Sequence, residues 1–150
     1  MSPIDYMKMP LQRYADFSGR SRRMEYWMFF VGVLGASVVA GVVDRLLGMG
    51  GMIGGVYGPL TTIVLLGTFI PSLACMVRRL HDQNRPGWLI FLVIVPYAIG
   101  IALMLAGNLG AGGTILFIGG ICALGMLVLM FLEGTKGENR FGPDPKAGAA

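Results

Sequence analysis

The chain has few charged side chains for its length. Only 13% of its 150 residues are Asp, Glu, Lys or Arg, whereas a soluble domain carries about a quarter. Hydrophobic residues make up 55% of the sequence. This composition argues against a water-soluble domain and indicates that lipid is the solvent of much of the chain.

Residues with metal-binding or redox chemistry are scarce as well. The sequence has one histidine, His81, and two cysteines, Cys75 and Cys122, both inside apolar runs. Neither cysteine has a histidine or a second cysteine at the spacing of metal ligands. We therefore interpret both as small buried hydrophobic residues and predict neither a metal nor a cofactor.

Four long apolar runs dominate the sequence. They cover about residues 26–43, 56–77, 88–106 and 111–132. At a rise of about 1.5 Å per residue, each run is long enough to cross most or all of a hydrocarbon layer about 30 Å thick. Two runs also carry small residues at four-residue steps, which favour close helix packing within one chain or between copies: Gly32, Ala36, Ala40 and Ala98, Ala102, Ala106. The pattern predicts an all-α membrane protein, a bundle of four transmembrane helices.

A shorter amphipathic segment precedes the first run. Ser2 followed by Pro3 is typical of a helix start, with serine as N-cap and proline at the first helical position. Apolar residues then recur at helical spacing, at Ile4, Met7, Leu11 and Tyr14. We predict an N-terminal amphipathic segment at the membrane interface, broken or kinked at Pro10.

Proline and glycine indicate where the backbone bends. Pro71 and Pro96 lie inside apolar runs and predict kinks. Residues 85–88, Arg-Pro-Gly-Trp, fit a type II turn. Residues 133–145 are too rich in glycine and proline for a helix, so we predict a single membrane domain over residues 1–145 and a disordered tail over 146–150.

Lysine and arginine are concentrated in three segments. Five precede the first run, three lie in residues 78–87 and three follow the last run, whereas the other two loops contain only Arg45. The positive-inside rule therefore predicts that both termini and residues 78–87 face the cytoplasm. Tyr26, Trp27 and Trp88 stand at ends of runs, where aromatic side chains anchor a span at the interface.

The same three segments carry acids, which predicts one polar cluster at the cytoplasmic face. Its expected members are Arg20, Arg23, Glu25, Arg78, Arg79, His81, Asp82, Asn139, Arg140 and Asp144. Unpaired charges near hydrocarbon are costly, so we expect these groups to pair and to clamp the helix ends. Remaining arginines would bind anionic phospholipid or a protein partner. Nucleic acid is not an expected partner, since acids balance the bases at the headgroup layer.

Two other function classes stay open. The predicted spans contain no ionisable Asp, Glu, Lys, Arg or His, which argues against a transporter that works as a monomer. An oligomeric small-solute carrier or channel would use the hydroxyls of Thr61, Thr62 and Thr68. A lipid-modifying enzyme would use His81 and Asp82 as base and orienter, but no nucleophile accompanies them. We therefore favour a non-enzymatic role and assign no catalytic residue.

Three motifs, in order, resemble a known family. They are Phe17-Ser18-Gly19-Arg20-x-x-Arg23-x-Glu25-Tyr26-Trp27, Arg78-Arg79-Leu80-His81-Asp82-x-x-x-x-Gly87-Trp88 and Gly134-Thr135-x-Gly137-x-Asn139-Arg140-Phe141-Gly142-x-Asp144-Pro145. Over about residues 11–145 the chain resembles domain of unknown function 805, the YhaH-like small proteins of the bacterial inner membrane. The resemblance implies a multi-pass protein of the bacterial cytoplasmic (inner) membrane. It implies no activity and no catalytic residue.

Overall fold

A computed structural model describes residues 2–53 and 55–147, and these residues are mainly helical. The helices are α1 (Pro3–Gln12), α2 (Arg23–Leu46), α3 (Pro59–Asp82), α4 (Phe91–Leu105) and α5 (Leu109–Phe131), with a 3₁₀ turn at Gly87–Ile90. The described part contains no β-strand beyond two isolated bridges, Ile53 with Tyr57 and Asn139 with Gly142. The predicted disordered tail lies outside the described residues from position 148 onward.

Four helical segments within the described ranges are long and apolar enough to cross a membrane. They are α2, α3, the 3₁₀ turn with α4 (Gly87–Leu105), and α5. The predicted all-α fold with four spans is therefore confirmed. Helices α2 and α3 include charged residues that the sequence had placed outside the spans, because α2 already begins at Arg23 and α3 continues to Asp82.

The chain divides into two compact units. The first comprises the chain up to Phe17 together with Met24–Cys75, and the second comprises Ser18–Arg23 together with the chain from Met76 onward. One boundary falls inside α3, after Cys75. The single membrane domain over residues 1–145 stays a prediction.

In the first unit, α1 begins where its sequence predicts. The Ser2 hydroxyl accepts a hydrogen bond from the Asp5 amide (3.2 Å), and the Asp5 carboxylate accepts one from the Ser2 amide (2.7 Å). This is a reciprocal capping box. Of the break or kink predicted at Pro10, the break is wrong, since α1 continues to Gln12 and the Arg13 amide still donates to the Met9 carbonyl at 3.0 Å; the kink stays a prediction. Pro10 removes only one bond in the last turn.

The N-terminal segment of the first unit contacts both of that unit's long helices. Met7 packs on Gly32 of α2, where an added Cβ would lie 3.5 Å from the Met7 Cγ. The Tyr14 hydroxyl donates to the Gly67 carbonyl of α3 at 2.8 Å. That carbonyl lies four residues before Pro71, which has no N–H to offer it, so the tyrosine replaces a missing helix bond. The placement of this segment at the membrane interface stays a prediction.

In the second unit, α3 ends in a Schellman motif. The Asn84 amide donates to the His81 carbonyl and the Arg85 amide donates to the Leu80 carbonyl, both at 2.9 Å. Asn84 has a positive φ of 57°, the left-handed conformation of this motif. The predicted type II turn at residues 85–88 is wrong, because that turn needs a positive φ at Gly87 and Gly87 does not have one. Gly87 instead begins the 3₁₀ turn.

Helices α4 and α5 of the second unit pack through glycines. A Cβ added at Gly100 would lie 2.7 Å from the Leu116 Cδ2, and one at Gly112 would lie 2.6 Å from the Met104 Cγ. Such close approach increases van der Waals contact between membrane helices. It explains how α5 forms despite a glycine content that weakens its intrinsic helix propensity.

Candidate functional site

A buried polar cluster lies in the second unit, where three distant stretches of sequence meet. They are residues 18–23, the end of α3 with the following turn, and the loop 133–145. Arg20, Arg78, Arg79 and Asp82 are all buried there. A buried charge is costly unless it is paired and hydrogen-bonded, so the partners of these side chains determine the geometry of the site.

Asp82 lies between two guanidinium groups. The Arg20 Nε donates to its Oδ1 at 3.0 Å, and the Arg79 Nη1 donates to its Oδ2. Arg79 precedes Asp82 by three residues, so both side chains lie on one face of α3. Gly134 lies directly against the carboxylate, since an added Cβ would be 1.9 Å from Oδ2. Only glycine fits at that position without a shift of the cluster.

Arg20 also binds the backbone of the loop 133–145. Its Nη1 donates to the Gly137 carbonyl at 2.6 Å and to the Gly142 carbonyl at 3.3 Å, and its Nη2 donates to the Thr135 carbonyl. The planar fork of arginine presents donors in these several directions at once, which the single ammonium of lysine does not. Both glycines have positive φ, 75° and 130°, so the loop conformation itself favours glycine at these two positions.

The other arginines of the cluster bind mainly hydroxyl and carbonyl oxygens. The Arg78 Nε donates to the Ser21 hydroxyl at 2.9 Å, while the Ser21 amide donates to the Arg78 carbonyl at 3.1 Å. The Arg79 Nη2 donates to the Leu132 carbonyl just after α5. Arg22 donates to the Pro145 carbonyl, and the Arg23 Nη1 to the Phe131 carbonyl at 3.3 Å. These bonds satisfy carbonyls that helix ends and loops leave without a partner.

His81 has a packing role in the cluster. Its ring stacks on Phe141 with 3.9 Å between centroids and 4° between planes. The Nδ1 lies 3.2 Å from the Gly19 carbonyl, which requires a proton on that nitrogen. The Nε2 faces Gly87, where an added Cβ would lie 3.2 Å away. The Nδ1 and the ring face thus join the end of α3 to Gly19 and to the loop 133–145.

Asn139 and Arg140 tie the loop to the end of α3. The Asn139 Nδ2 donates to the His81 carbonyl at 3.0 Å and to the Thr135 hydroxyl at 2.8 Å. The Arg140 Nη2 donates to the Asn84 carbonyl at 3.0 Å, and its guanidinium lies 4.7 Å from the centroid of the Phe141 ring. Arg140 thus uses a carbonyl and an aromatic face as partners.

Asp144 stabilises the loop from its far end. Its carboxylate accepts hydrogen bonds from the Lys146 amide at 2.8 Å and the Gly137 amide at 2.9 Å. These two bonds, with that from Lys146 the larger cause, hold the pKa of Asp144 below its ordinary value of 3.8. In acid, the unfolded chain therefore binds a proton at Asp144 more readily than the folded protein does. The stability that this carboxylate contributes is present above its ordinary pKa and is lost as the pH falls through the lower pKa of the folded protein.

Most of the residues predicted for the cluster lie together in the second unit. They are Arg20, Arg23, Arg78, Arg79, His81, Asp82, Asn139, Arg140 and Asp144. Glu25 is also buried, but it belongs to the first unit. Tyr26 and Trp27 pack edge to face at 5.3 Å, and Trp88 is exposed on the 3₁₀ turn. Their role as interfacial anchors stays a prediction.

The sequence reading missed several polar partners. Ser21, Thr135 and Gly134 were not predicted as members, and each contacts a cluster residue more than fifty positions away. In the first unit, Asp44 is buried near the end of α2 and caps the start of α3. Its carboxylate accepts from the Leu60 amide at 3.0 Å and from the amide and hydroxyl of Thr61 at 2.9 and 2.8 Å. An ordinary N-cap is local, whereas Asp44 lies sixteen residues before Leu60, so no local signal marks it.

The remaining candidate residues, two threonines and the two cysteines, lie outside the polar cluster. The hydroxyl of Thr62 donates to the Gly58 carbonyl at 2.9 Å, and that of Thr68 donates to the Val64 carbonyl at 2.7 Å. Cys75 is buried, as expected, whereas Cys122 is only half-buried; among the described residues neither cysteine forms a disulfide. Within the ranges that the structure describes, no group of three or more His, Cys, Asp or Glu side chains is arranged to hold a metal ion.

Comparison with known proteins gives consistent matches over nearly the full length. The family model described as "Protein of unknown function (DUF805)" matches residues 14–143. "Inner membrane protein YhaH" of Escherichia coli K12 is 38% identical, over 95% of this chain and 98% of that protein. "Inner membrane protein YhaI" of the same strain is 36% identical over 93% of each. "Uncharacterized protein YiiR" of that strain is 30% identical over 91% and 90%. No solved structure matches the chain.

The matched region contains all four candidate spans and most of the polar cluster. It extends from Tyr14 to Pro143 and so includes Arg20, Asp82 and Asn139. The relatives YhaH and YhaI are inner-membrane proteins by name. We conclude that this chain belongs to the DUF805 family and is a multi-pass protein of the inner membrane.

Proposed function

We propose that the protein is a non-enzymatic membrane protein in which a clamp fixes the end of α3 and the C-terminal loop. The clamp consists of Arg20, Arg79 and Asp82 with the carbonyls of Thr135, Gly137 and Gly142. The observation that carries this proposal is the Arg20 guanidinium, which binds the Asp82 carboxylate and all three carbonyls at once. Its Nε, Nη1 and Nη2 all donate to this protein rather than towards an open site.

The clamp provides hydrogen-bond donors for backbone carbonyls of the C-terminal loop. A loop near hydrocarbon has few water molecules to satisfy its backbone carbonyls, and each unsatisfied group is costly. Arg20 satisfies three of them from the protein interior, and Asp82 balances its charge. Removing one member would leave buried charge without compensation, which is strongly destabilising.

The surroundings of His81 and the threonines favour this structural role. A general base needs a ring nitrogen that is free to reach its substrate, whereas the His81 ring is stacked on Phe141 and its Nδ1 binds the Gly19 carbonyl. The hydroxyl of Thr62 donates to the Gly58 carbonyl just before α3, and that of Thr68 donates to the Val64 carbonyl inside α3, so neither is left to line a solute path. We therefore infer neither an enzyme nor a carrier from these residues.

We further propose that the clamp and both termini lie on the cytoplasmic side. The distribution of lysine and arginine supports this orientation through the positive-inside rule. Arg85, Lys136, Arg140 and Lys146 are exposed around the cluster. Each exposed cation near an anionic leaflet adds about 1 kcal/mol of attraction, so these side chains would hold anionic headgroups against this face.

Limited trypsin digestion of membrane vesicles tests both proposals. In inverted vesicles, which expose the cytoplasmic face, we expect cleavage after the exposed Lys146 and slow cleavage after Lys136 and Arg140. Arg20→Met should speed cleavage after Lys136 and Arg140 at least tenfold, because the loop loses its interior anchor. Mass spectrometry of the released peptides measures each rate separately.

Controls separate the two proposals. Arg13→Met removes an arginine that pairs with Asp16 in the first unit, and it should leave the loop cleavage rates unchanged. Equal rates at Lys136 and Arg140 in Arg20→Met and the unmodified protein would refute the clamp. Cleavage after Lys146 only in right-side-out vesicles would refute the orientation, whatever the effect of Arg20→Met.

A further inference from the structure

The first unit contains a cleft of about 520 Å³ between α2 and the start of α3. Most of its wall is apolar, from side chains such as Phe30, Leu34, Val38 and Leu65. The wall runs along α2 from Phe30 to Arg45, and these fifteen helical steps correspond to about 22 Å. One leaflet contributes about 15 Å of hydrocarbon depth, so the cleft is long enough for a lipid chain of a single leaflet.

A cation lies at one end of this cleft. Arg45 lines the cleft and is exposed, and its stem covers Gly50, where an added Cβ would lie 2.9 Å from the Arg45 Cγ. No acidic side chain among the described residues pairs with its guanidinium. The neighbouring Asp44 is buried, and its carboxylate binds the Leu60 amide and Thr61 instead. The exposed charge at this end of the cleft is therefore positive.

A second polar group lies deeper in the wall. Ser37 lines the cleft, and its hydroxyl is buried without a hydrogen-bond partner within the described part of the chain. Serine in a helix commonly donates to the carbonyl four residues before it, and Ser37 makes no such bond. A buried hydroxyl without a partner is unfavourable. A ligand with a hydrogen-bond acceptor between the charged end and the apolar end of the cleft would satisfy the Ser37 hydroxyl.

We propose that the cleft binds one anionic glycerophospholipid, with its phosphate on Arg45 and one acyl chain along the apolar wall. The charged, polar and apolar groups of such a lipid follow one another in the same order as the residues that would bind them in the cleft. The phosphate meets the cation, the ester oxygens lie next and offer acceptors to Ser37, and the acyl chain follows. This site is separate from the clamp, which lies in the other unit and uses other arginines.

Photocrosslinking in lipid nanodiscs tests the proposal on the full-length protein. The probe is phosphatidylglycerol with a diazirine on one acyl chain, and phosphatidylcholine with the same chain is the comparison. Mass spectrometry maps the labelled residues. We expect phosphatidylglycerol to label α2 between Leu34 and Val42 about fivefold more than phosphatidylcholine does. Arg45→Gln should remove that difference, since one cation near the headgroups corresponds to about that factor.

Two neighbouring valines give a matched control. Val38 and Val39 are both exposed on α2, but only Val38 lines the cleft. Val38→Trp should reduce labelling at least tenfold by filling the cleft, whereas Val39→Trp should leave it unchanged. Ser37→Ala, which is too small a change to unfold the helix, should reduce labelling two- to threefold.

The proposal is overturned by either of two results. One is equal labelling by the two lipids with no effect of Arg45→Gln, which would mean that the cleft meets bulk lipid without selecting a headgroup. The other is an equal effect of the two tryptophan variants, which would mean that the cleft is not where the chain binds. Arg85→Gln, which removes an exposed cation of the second unit, should leave labelling of α2 unchanged.

Discussion

Replacing Asp82 by asparagine is the most direct perturbation of the clamp. The amide would keep the shape of the side chain but remove the charge that balances Arg20 and Arg79. Both guanidinium groups are buried, so neither can exchange the lost carboxylate for water without a rearrangement. The expected result is a large loss of stability without a change in the four spans, whose hydrophobic sequence is untouched.

The burial of these side chains sets the size of the expected loss in the free energy of unfolding. Breaking a buried ion pair by removing one partner costs about 3–5 kcal/mol, and Asp82→Asn leaves two arginines short of a carboxylate. The same substitution at Asp16 is a matched control, because Asp16 also pairs with an arginine three residues away, at 2.7 Å, but both side chains are more than a third exposed. Exposed pairs contribute about 0–1 kcal/mol. We therefore expect Asp82→Asn to cost at least 2 kcal/mol more than Asp16→Asn, taking about 3 against at most about 1.

Reversible unfolding in detergent micelles measures this difference. Tryptophan fluorescence follows the transition, because Trp88 lies in the second unit and Trp27 in the first. The free energies of unfolding of the two asparagine variants are compared with that of the unmodified protein. Equal losses for Asp82→Asn and Asp16→Asn would refute the reasoning, since burial would then make no difference to the value of the carboxylate.

Two further changes test other contacts. Tyr14→Phe should cost about 1 kcal/mol, and less than half of that when Pro71→Ala restores an N–H for the Gly67 carbonyl. The same unfolding assay measures this cycle, and equal costs in both backgrounds would mean that the tyrosine does not replace the helix bond. Asp144→Asn should flatten the fall in stability below about pH 4, because the lowered pKa of Asp144 couples acid to unfolding. Unfolding measured from pH 6 to pH 3 checks this, and parallel pH profiles of the variant and the unmodified protein would contradict it.

Local sequence features predicted the elements of the fold well. Apolar runs long enough to cross a membrane gave the four spans, because burial of apolar side chains in lipid depends on composition and length alone. Ser2 and Pro3 gave the start of α1, because capping is a short-range effect. Two predictions from single residues did not hold: α1 is not broken at Pro10, and Gly87 lacks the positive φ of a type II turn. The chain reverses instead at Asn84, in the Schellman motif that ends α3.

The sequence predicted the candidate cluster as a set of residues but not as a set of contacts. Charge distribution brought Arg20, Asp82 and Asn139 into one predicted layer, since ionisable groups avoid hydrocarbon. Pairing among the charged groups was expected throughout the cluster, whereas Arg23 and Arg140 donate to backbone carbonyls. A carbonyl exists at every position, so sequence does not distinguish the one that binds.

The sequence by itself determined that the chain is a four-span membrane protein with its charges in a few segments. Hydrophobicity can be read from consecutive residues, without knowing which distant segments contact each other. Only the tertiary structure decided which groups meet. Arg20 and Asp82 lie 62 residues apart, and Arg20 and the Gly142 carbonyl 122. Asp44 caps a helix that begins well after it. Such pairings depend on where separate segments come to lie in space, which no local pattern specifies.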